Sequence, residues 1–242
     1  MRALRVVAPL AAVVLFSIDA YAWTAPTRVR MVDDALKLLP PSLRQVLEKR
    51  RKDVLRGMLD PMTREDRPEH RPPWEHGSLD RSVDAATQEL IASVGKSSFH
   101  TVAERFGGLA HYVADAGFPP NAGGRGDERR YAHFGGFAQG RRDRFPLVFY
   151  GHDNPSLARG DMRGFTLGVL ERARAEDGTL AKAYAAAPSW DDPIAFDDRS
   201  VPFAVASLSY SHAVTDIVQA WLAAWSRCHG DMGGTPYRGA AQ

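Results

Sequence analysis

The stretch from Ser200 to Cys228 constrains the fold most. Read at about 100° per residue, Phe203, Leu208, Tyr210, Val214, Ile217, Val218, Trp221, Leu222 and Trp225 cover most of a helix circumference. A surface helix shows one apolar stripe, whereas a helix that is apolar nearly all round belongs at the buried centre of a bundle. Ser200 is a suitable cap for it and Pro202 sits in its first turn. No segment alternates apolar and polar residues with a period of two for long enough to make a sheet. The expected fold is therefore all-α, a multi-helix bundle around this helix. His212 and Asp216 lie four apart on it, and the expectation is a buried pair that satisfies itself.

Length permits one domain with a sizeable core, since the chain has 242 residues and is 44% hydrophobic. The formal net charge is +2, and no basic block stands clear of interleaved acids. A surface that wraps nucleic acid is not indicated. Cys228 is the one cysteine, so no intramolecular disulfide forms. Arg2 and Arg5, the apolar run 6–17 and Ala20-Tyr21-Ala22 read as a secretory signal peptide over residues 1–22, cleaved after Ala22. The run is too short to span a bilayer. The expected domain is 23–229, with a frayed tail at 230–242, and the expected location is periplasmic or secreted.

Ahead of the central helix the chain is punctuated by proline. Thr27 caps a helix that Pro40-Pro41 ends, and Ser42 caps a second one carrying Leu43, Val46, Leu47, Val54, Leu55 and Met58. Residues 60–78 then hold four prolines, five acids, His70 and His76. Proline density forbids a regular helix there, leaving a metal-binding loop or a flexible charged one. Helices are expected over 79–94, 99–116, 162–174 and 179–187, with a glycine-rich loop at 121–126. That loop lacks the Gly-Lys-Ser/Thr of a phosphate loop. In the 99–116 helix, Phe99, Val102, Ala103, Phe106, Leu109, Ala110 and Val113 form an apolar stripe. His100, Glu104, Gly107, His111 and Asp115 form a polar flank. Positions i and i+4 share a helix face, so His111 and Asp115 can converge on one ion. Gly107 and Gly108 each cost about 1 kcal/mol against alanine inside a helix, which points to something approaching the backbone closely there.

In this order the pieces resemble the zinc-dependent phospholipase C superfamily, which includes secreted zinc nucleases for single strands. The resemblance rests on Trp23 directly after the cleavage site, the Asp/His loop after the second helix, and His111-Tyr112-Val113-Ala114-Asp115 followed by Pro119-Pro120. It implies zinc ligands at Trp23 (amine and carbonyl), Asp60, either His70 or His76, His111 and Asp115. It implies phosphodiester hydrolysis, with a zinc-bound water attacking phosphorus and catalytic roles for Asp115 and His133. The substrate it implies is a phospholipid or other phosphodiester, with transient contact to a membrane surface; nucleic acid is the lesser expectation. Three positions depart from the family pattern. Arg28 stands where the first helix carries a histidine ligand, Asn121 where the pattern reads Pro-x-His, and Phe137 where an acid follows His133 by four residues. Guanidinium stays protonated and phenylalanine offers no donor atom, so the expected cofactor is one zinc rather than three. The other expectation is an inactive one-zinc or metal-free bundle that binds a phospho-ligand, for which Arg28 is suited, or a partner protein.

Overall fold

The computed structural model describes residues 22–64, 66–124 and 126–238; the expected leader thus lies outside the described residues, apart from Ala22. The architecture is an all-α bundle with no strand among the described residues. Its helices are α1 (Ala25–Leu36), α2 (Pro41–Lys49), α3 (Arg51–Leu59), α4 (Leu79–Ser93), α5 (Phe99–Ala116), α6 (Pro119–Gly123), α7 (Glu128–Arg141), α8 (Pro155–Ala158), α9 (Met162–Ala186) and α10 (Val201–Arg227). The central helix is α10, which touches α1, α4, α5, α7, α8 and α9. Its Tyr210, Val214, Ile217, Val218 and Trp221 are fully buried. Polar side chains on α10 serve as fasteners: Ser211 Oγ and Thr215 Oγ1 accept from the amides of Val148 and Tyr150, and Gln219 donates to the Gly151 carbonyl.

Several local expectations are revised. The second helix is two, α2 and α3, joined at Arg50, where φ is −110° and ψ 23°. The pair expected over 162–187 is one continuous helix, α9; Gly178, inside it, has nothing near its missing side chain. His212 and Asp216 do not satisfy each other. Asp216 pairs with Arg172 of α9, and His212 stacks on Tyr150 with ring centroids 4.3 Å apart. Beyond α10 the chain folds back, and the Asp231 carbonyl accepts from Trp225 Nε1 and Ser42 Oγ.

The glycines of α3 and α5 explain how the site is held. A Cβ at Gly57 would lie 1.8 Å from the Glu104 carbonyl oxygen, and one at Gly107 would lie 2.0 Å from that of Val54. What approaches the backbone at Gly107 is therefore another helix, α3. Gly108 differs: nothing lies within 4 Å of its missing side chain.

Candidate metal centre

Helix α5 runs from a Ser98 cap, whose hydroxyl accepts from the Thr101 amide, to Gly117. Its packing against α3 fixes the azimuth of His111 and Asp115, turning both inward. The loop expected between α3 and α4 is ordered as 3-10 turns at Asp60–Arg64, Pro68–His70 and Pro73–Glu75. The second turn delivers His70 onto the α5 pair.

These three residues form one cluster, at most 1% exposed. His70 Nδ1 is 2.8 Å from Asp115 Oδ2, His111 Nε2 is 3.2 Å from the same oxygen, and the two nitrogens are 3.3 Å apart. Ligand atoms about 2.0–2.1 Å from a tetrahedral zinc stand roughly 3.3–3.4 Å from one another, so two edges of the triangle are already of that size. The third is a hydrogen bond. His111 Nδ1 lies 2.8 Å from the Met58 carbonyl oxygen, which can only accept, so that nitrogen carries the proton and Nε2 presents its lone pair to the cluster. A ligating histidine is commonly oriented in this way by its second nitrogen. His70 Nε2 is buried with no hydrogen-bond partner.

A permanent cation lies against the cluster. Arg28 of α1 is fully buried; its Nη2 sits 2.5 Å from Asp115 Oδ1 and its Nε donates to the Trp23 carbonyl at 2.7 Å. Nη1 is 3.3 Å from both the carbonyl oxygen and Nδ1 of His111. Because that Nδ1 is itself a donor, the bond is the one to the carbonyl. Burial pushes the His111 imidazolium down from its ordinary range, and Arg28 adds to this against the pull of Asp115. Burial works against the Asp115 carboxylate, but the Arg28 guanidinium and the hydrogen bond from His70 hold it well below the usual carboxylate range. Neutral imidazole beside ionised carboxylate is the protonation state that a metal site requires. The donor set fits one divalent ion. Arg28 takes the second oxygen of Asp115 and the Trp23 carbonyl.

The other expected residues are placed elsewhere. Between the two loop histidines the structure brings in His70; His76 is exposed at φ 57°. Asp60 is exposed at the end of α3 and its carboxylate is outside the cluster. It lines a cavity of about 420 Å³ together with Arg64, Glu104, Arg105, Gly108 and Tyr112. Tyr112 links the two regions, its ring 5.2 Å from that of His70 and 5.4 Å from that of His111. Trp23 is fully buried beside Arg28. His133 is far from a ligand role: its Nδ1 is 2.8 Å from the Tyr184 hydroxyl, and Trp190 and Phe196 enclose its ring. Sequence reasoning missed the Met58 carbonyl, which no motif marks, and marked Arg28 and Asn121 only as departures without the bonds they make here.

The fold is similar to that of alpha-toxins. The alpha-toxin of Clostridium perfringens isolated from avian strain SWCP superposes with a TM-score of 0.62 at 12% identity, over 87% of this chain and 67% of the toxin. The alpha toxin of Clostridium absonum gives a TM-score of 0.62 at 15% identity, over 93% of this chain. The chain thus spans about two thirds of the length of these proteins, 67% and 66%. At such identities the likeness is one of fold. No family model and no curated protein sequence matches the chain.

Proposed function

We propose that the protein is an exported phosphodiester hydrolase of the phospholipase C type, with a metal centre reduced to one zinc ion held by His70, His111 and Asp115. One observation carries the metal assignment: three buried ligand atoms within 3.3 Å of one another, with the His111 tautomer fixed by the Met58 carbonyl. The phosphodiester class comes from the sequence resemblance, and the alpha-toxin fold supports it. Zinc bound there polarises a phosphoryl oxygen and lowers the pKa of a water molecule.

The chain's own groups have distinct tasks. Arg28 keeps Asp115 ionised and leaves it one oxygen, Oδ2, for the metal. Tyr112 stands between the imidazoles and the cavity. Arg64 and Arg105 on the cavity wall offer guanidinium donors suited to phosphodiester oxygens. Asp60, on the same wall, stays outside the zinc ligands and faces the cavity. The substrate is a phospholipid or another small phosphodiester, met at a membrane surface; among the described residues no helix is long and apolar enough to cross one.

A second reading is favoured by the closure of the cluster, since catalytic zinc keeps an open position whereas structural zinc is enclosed. In that reading the bundle keeps one structural metal and binds a phospho-ligand or partner. Metal analysis of the purified protein, with hydrolysis of bis(p-nitrophenyl) phosphate, separates the two. One zinc per chain, with hydrolysis that Asp115→Asn abolishes, supports the enzyme; one zinc without hydrolysis supports the binding module. No zinc, or zinc content unchanged by His111→Ala, overturns the metal assignment.

A further inference from the structure

His70 belongs to an irregular segment, yet its ring is placed to within hydrogen-bonding distance of a helix that starts 29 residues later in sequence. The backbone bonds within that segment are local: His70 N–H to the Arg67 carbonyl, Arg71 to Pro68, Ser78 to Pro68 and Leu79 to Arg71. They shape the turn but do not attach it to α5. Beyond the His70 ring's own bond to Asp115, the attachment comes from α6. Trp74 Nε1 donates to the Ala122 carbonyl at 3.0 Å. One residue earlier, the Asn121 side-chain nitrogen donates to the carbonyl of His70 at 2.9 Å and to that of Asp115 at 3.1 Å. Asn121 is 1% exposed.

A single NH₂ group therefore bridges the main chains of two of the three cluster residues. Both acceptors are carbonyls, so the amide orientation is decided by chemistry: the nitrogen, with two hydrogens, must face them. The Asp115 carbonyl, at the end of α5, also accepts from the Phe118 amide at 3.3 Å, so the Asn121 bond matters most at the His70 carbonyl, at the tip of the buried turn. Asn121 Oδ1 has no partner, which shows that the side chain is set by its nitrogen alone. We infer that Asn121 is a positioning residue: through its amide it fixes the spacing between His70 and Asp115, and so holds the triad assembled before any metal arrives. Its effect on metal rests on the one-zinc reading above; its effect on the turn does not.

Asn121→Asp keeps the side-chain shape but replaces the two-hydrogen donor with an acceptor facing two acceptors. Asn121→Ser, which retains one donor, is the milder companion if the first does not fold. Two measurements test the inference on the full-length chain. Zinc affinity, by competition against a chromophoric chelator, should fall roughly 10–100-fold in Asn121→Asp, the range found when partners of metal ligands are removed. In a His70→Ala background the same change should have no further effect on zinc, because the turn then supplies no ligand. A role in general stability alone would act equally in both backgrounds, and that result would overturn the inference. In metal-free protein, amide hydrogen exchange at His70 and Arg71 should rise towards the free-backbone rate in the variant, with α10 unchanged. Unchanged protection there would overturn it as well. Wild type that binds no zinc, but shows the loss of protection in the variant, would remove the metal reading and leave the bridge standing.

Discussion

Replacing Arg28 with methionine tests the charge arrangement of the cluster most directly. Methionine keeps much of the volume of the arginine stem and removes the guanidinium. The Asp115 carboxylate, buried to within 1% exposure, then loses the donor 2.5 Å from its Oδ1, and the Trp23 carbonyl loses the one at 2.7 Å. Removing one partner of a buried pair costs about 3–5 kcal/mol, because the other charge stays enclosed. For a domain of this size 1 kcal/mol corresponds to about 2–4 °C, so thermal denaturation in a chelator should show a drop of roughly 6–20 °C. Zinc should then stabilise Arg28→Met more than wild type, since the ion restores positive charge beside Asp115. At 100 times its Kd a ligand contributes about 2.7 kcal/mol through linkage, enough to recover a large part of the loss. A melting temperature within about 2 °C of wild type, less than 1 kcal/mol on the same scale, would refute the view that Arg28 is the counter-charge on which the cluster depends.

Two further predictions address packing and pH. Gly107→Ala would push a Cβ to 2.0 Å from the Val54 carbonyl oxygen, so α3 and α5 must separate; overpacking of this kind costs about 1–3 kcal/mol or more, and the urea midpoint should fall. Gly108→Ala, which meets nothing within 4 Å, should instead gain about 1 kcal/mol from helix propensity; equal effects of the two would contradict the packing described. On α10, burial lowers the His212 imidazole to about 4 and raises the Asp216 carboxyl to about 6, the latter against the pull of Arg172. Stability linked to His212 is present above its ordinary pKa and is lost as pH falls through about 4. Stability linked to Asp216 is present at low pH and is lost as pH rises through about 6. The two slopes oppose, so His212→Phe, which retains a ring against Tyr150, should become more stable on acidification from pH 6.5 to pH 4 relative to wild type. Parallel pH–stability curves for the two proteins would rule this out.

The extent of α5 was legible because two signals agree there, the apolar stripe and the Gly117 and Pro119 stop, although Phe99 at the head of that stripe is exposed. The enclosed position of α10 was equally legible, since its apolar residues cover most of its circumference, although Leu208 is exposed. The cluster was half legible. His111 and Asp115 follow from helical spacing, but the choice of His70 over His76 depends on 3-10 turns that have no sequence period, and on an amide bridge from Asn121. The pairing of Asp216 with Arg172 was hidden for a related reason: periodicity identifies residues that share a helix face, not those that meet across helices. Arg28 stood out as an anomaly in the sequence, yet only the three-dimensional arrangement shows where its donors go. His133 was singled out by resemblance; its ring is taken up by Tyr184, Trp190 and Phe196, and Phe137, four residues on, packs on Phe196 as part of the same aromatic group.

The burial of Ala22 and Trp23 bears on timing. Their exposures are 2% and 0%, and the Ala22 amide donates to the Tyr131 hydroxyl at 2.6 Å. A protease needs several residues of extended chain in its cleft, and the folded protein does not present the bond between these two. If the chain is cut at this bond, the cut would have to precede closure of the bundle, with the new amino group at Trp23 then folded inward. Protein allowed to fold with its leader attached should keep it, and the order of cutting and folding would then decide what the amino terminus is.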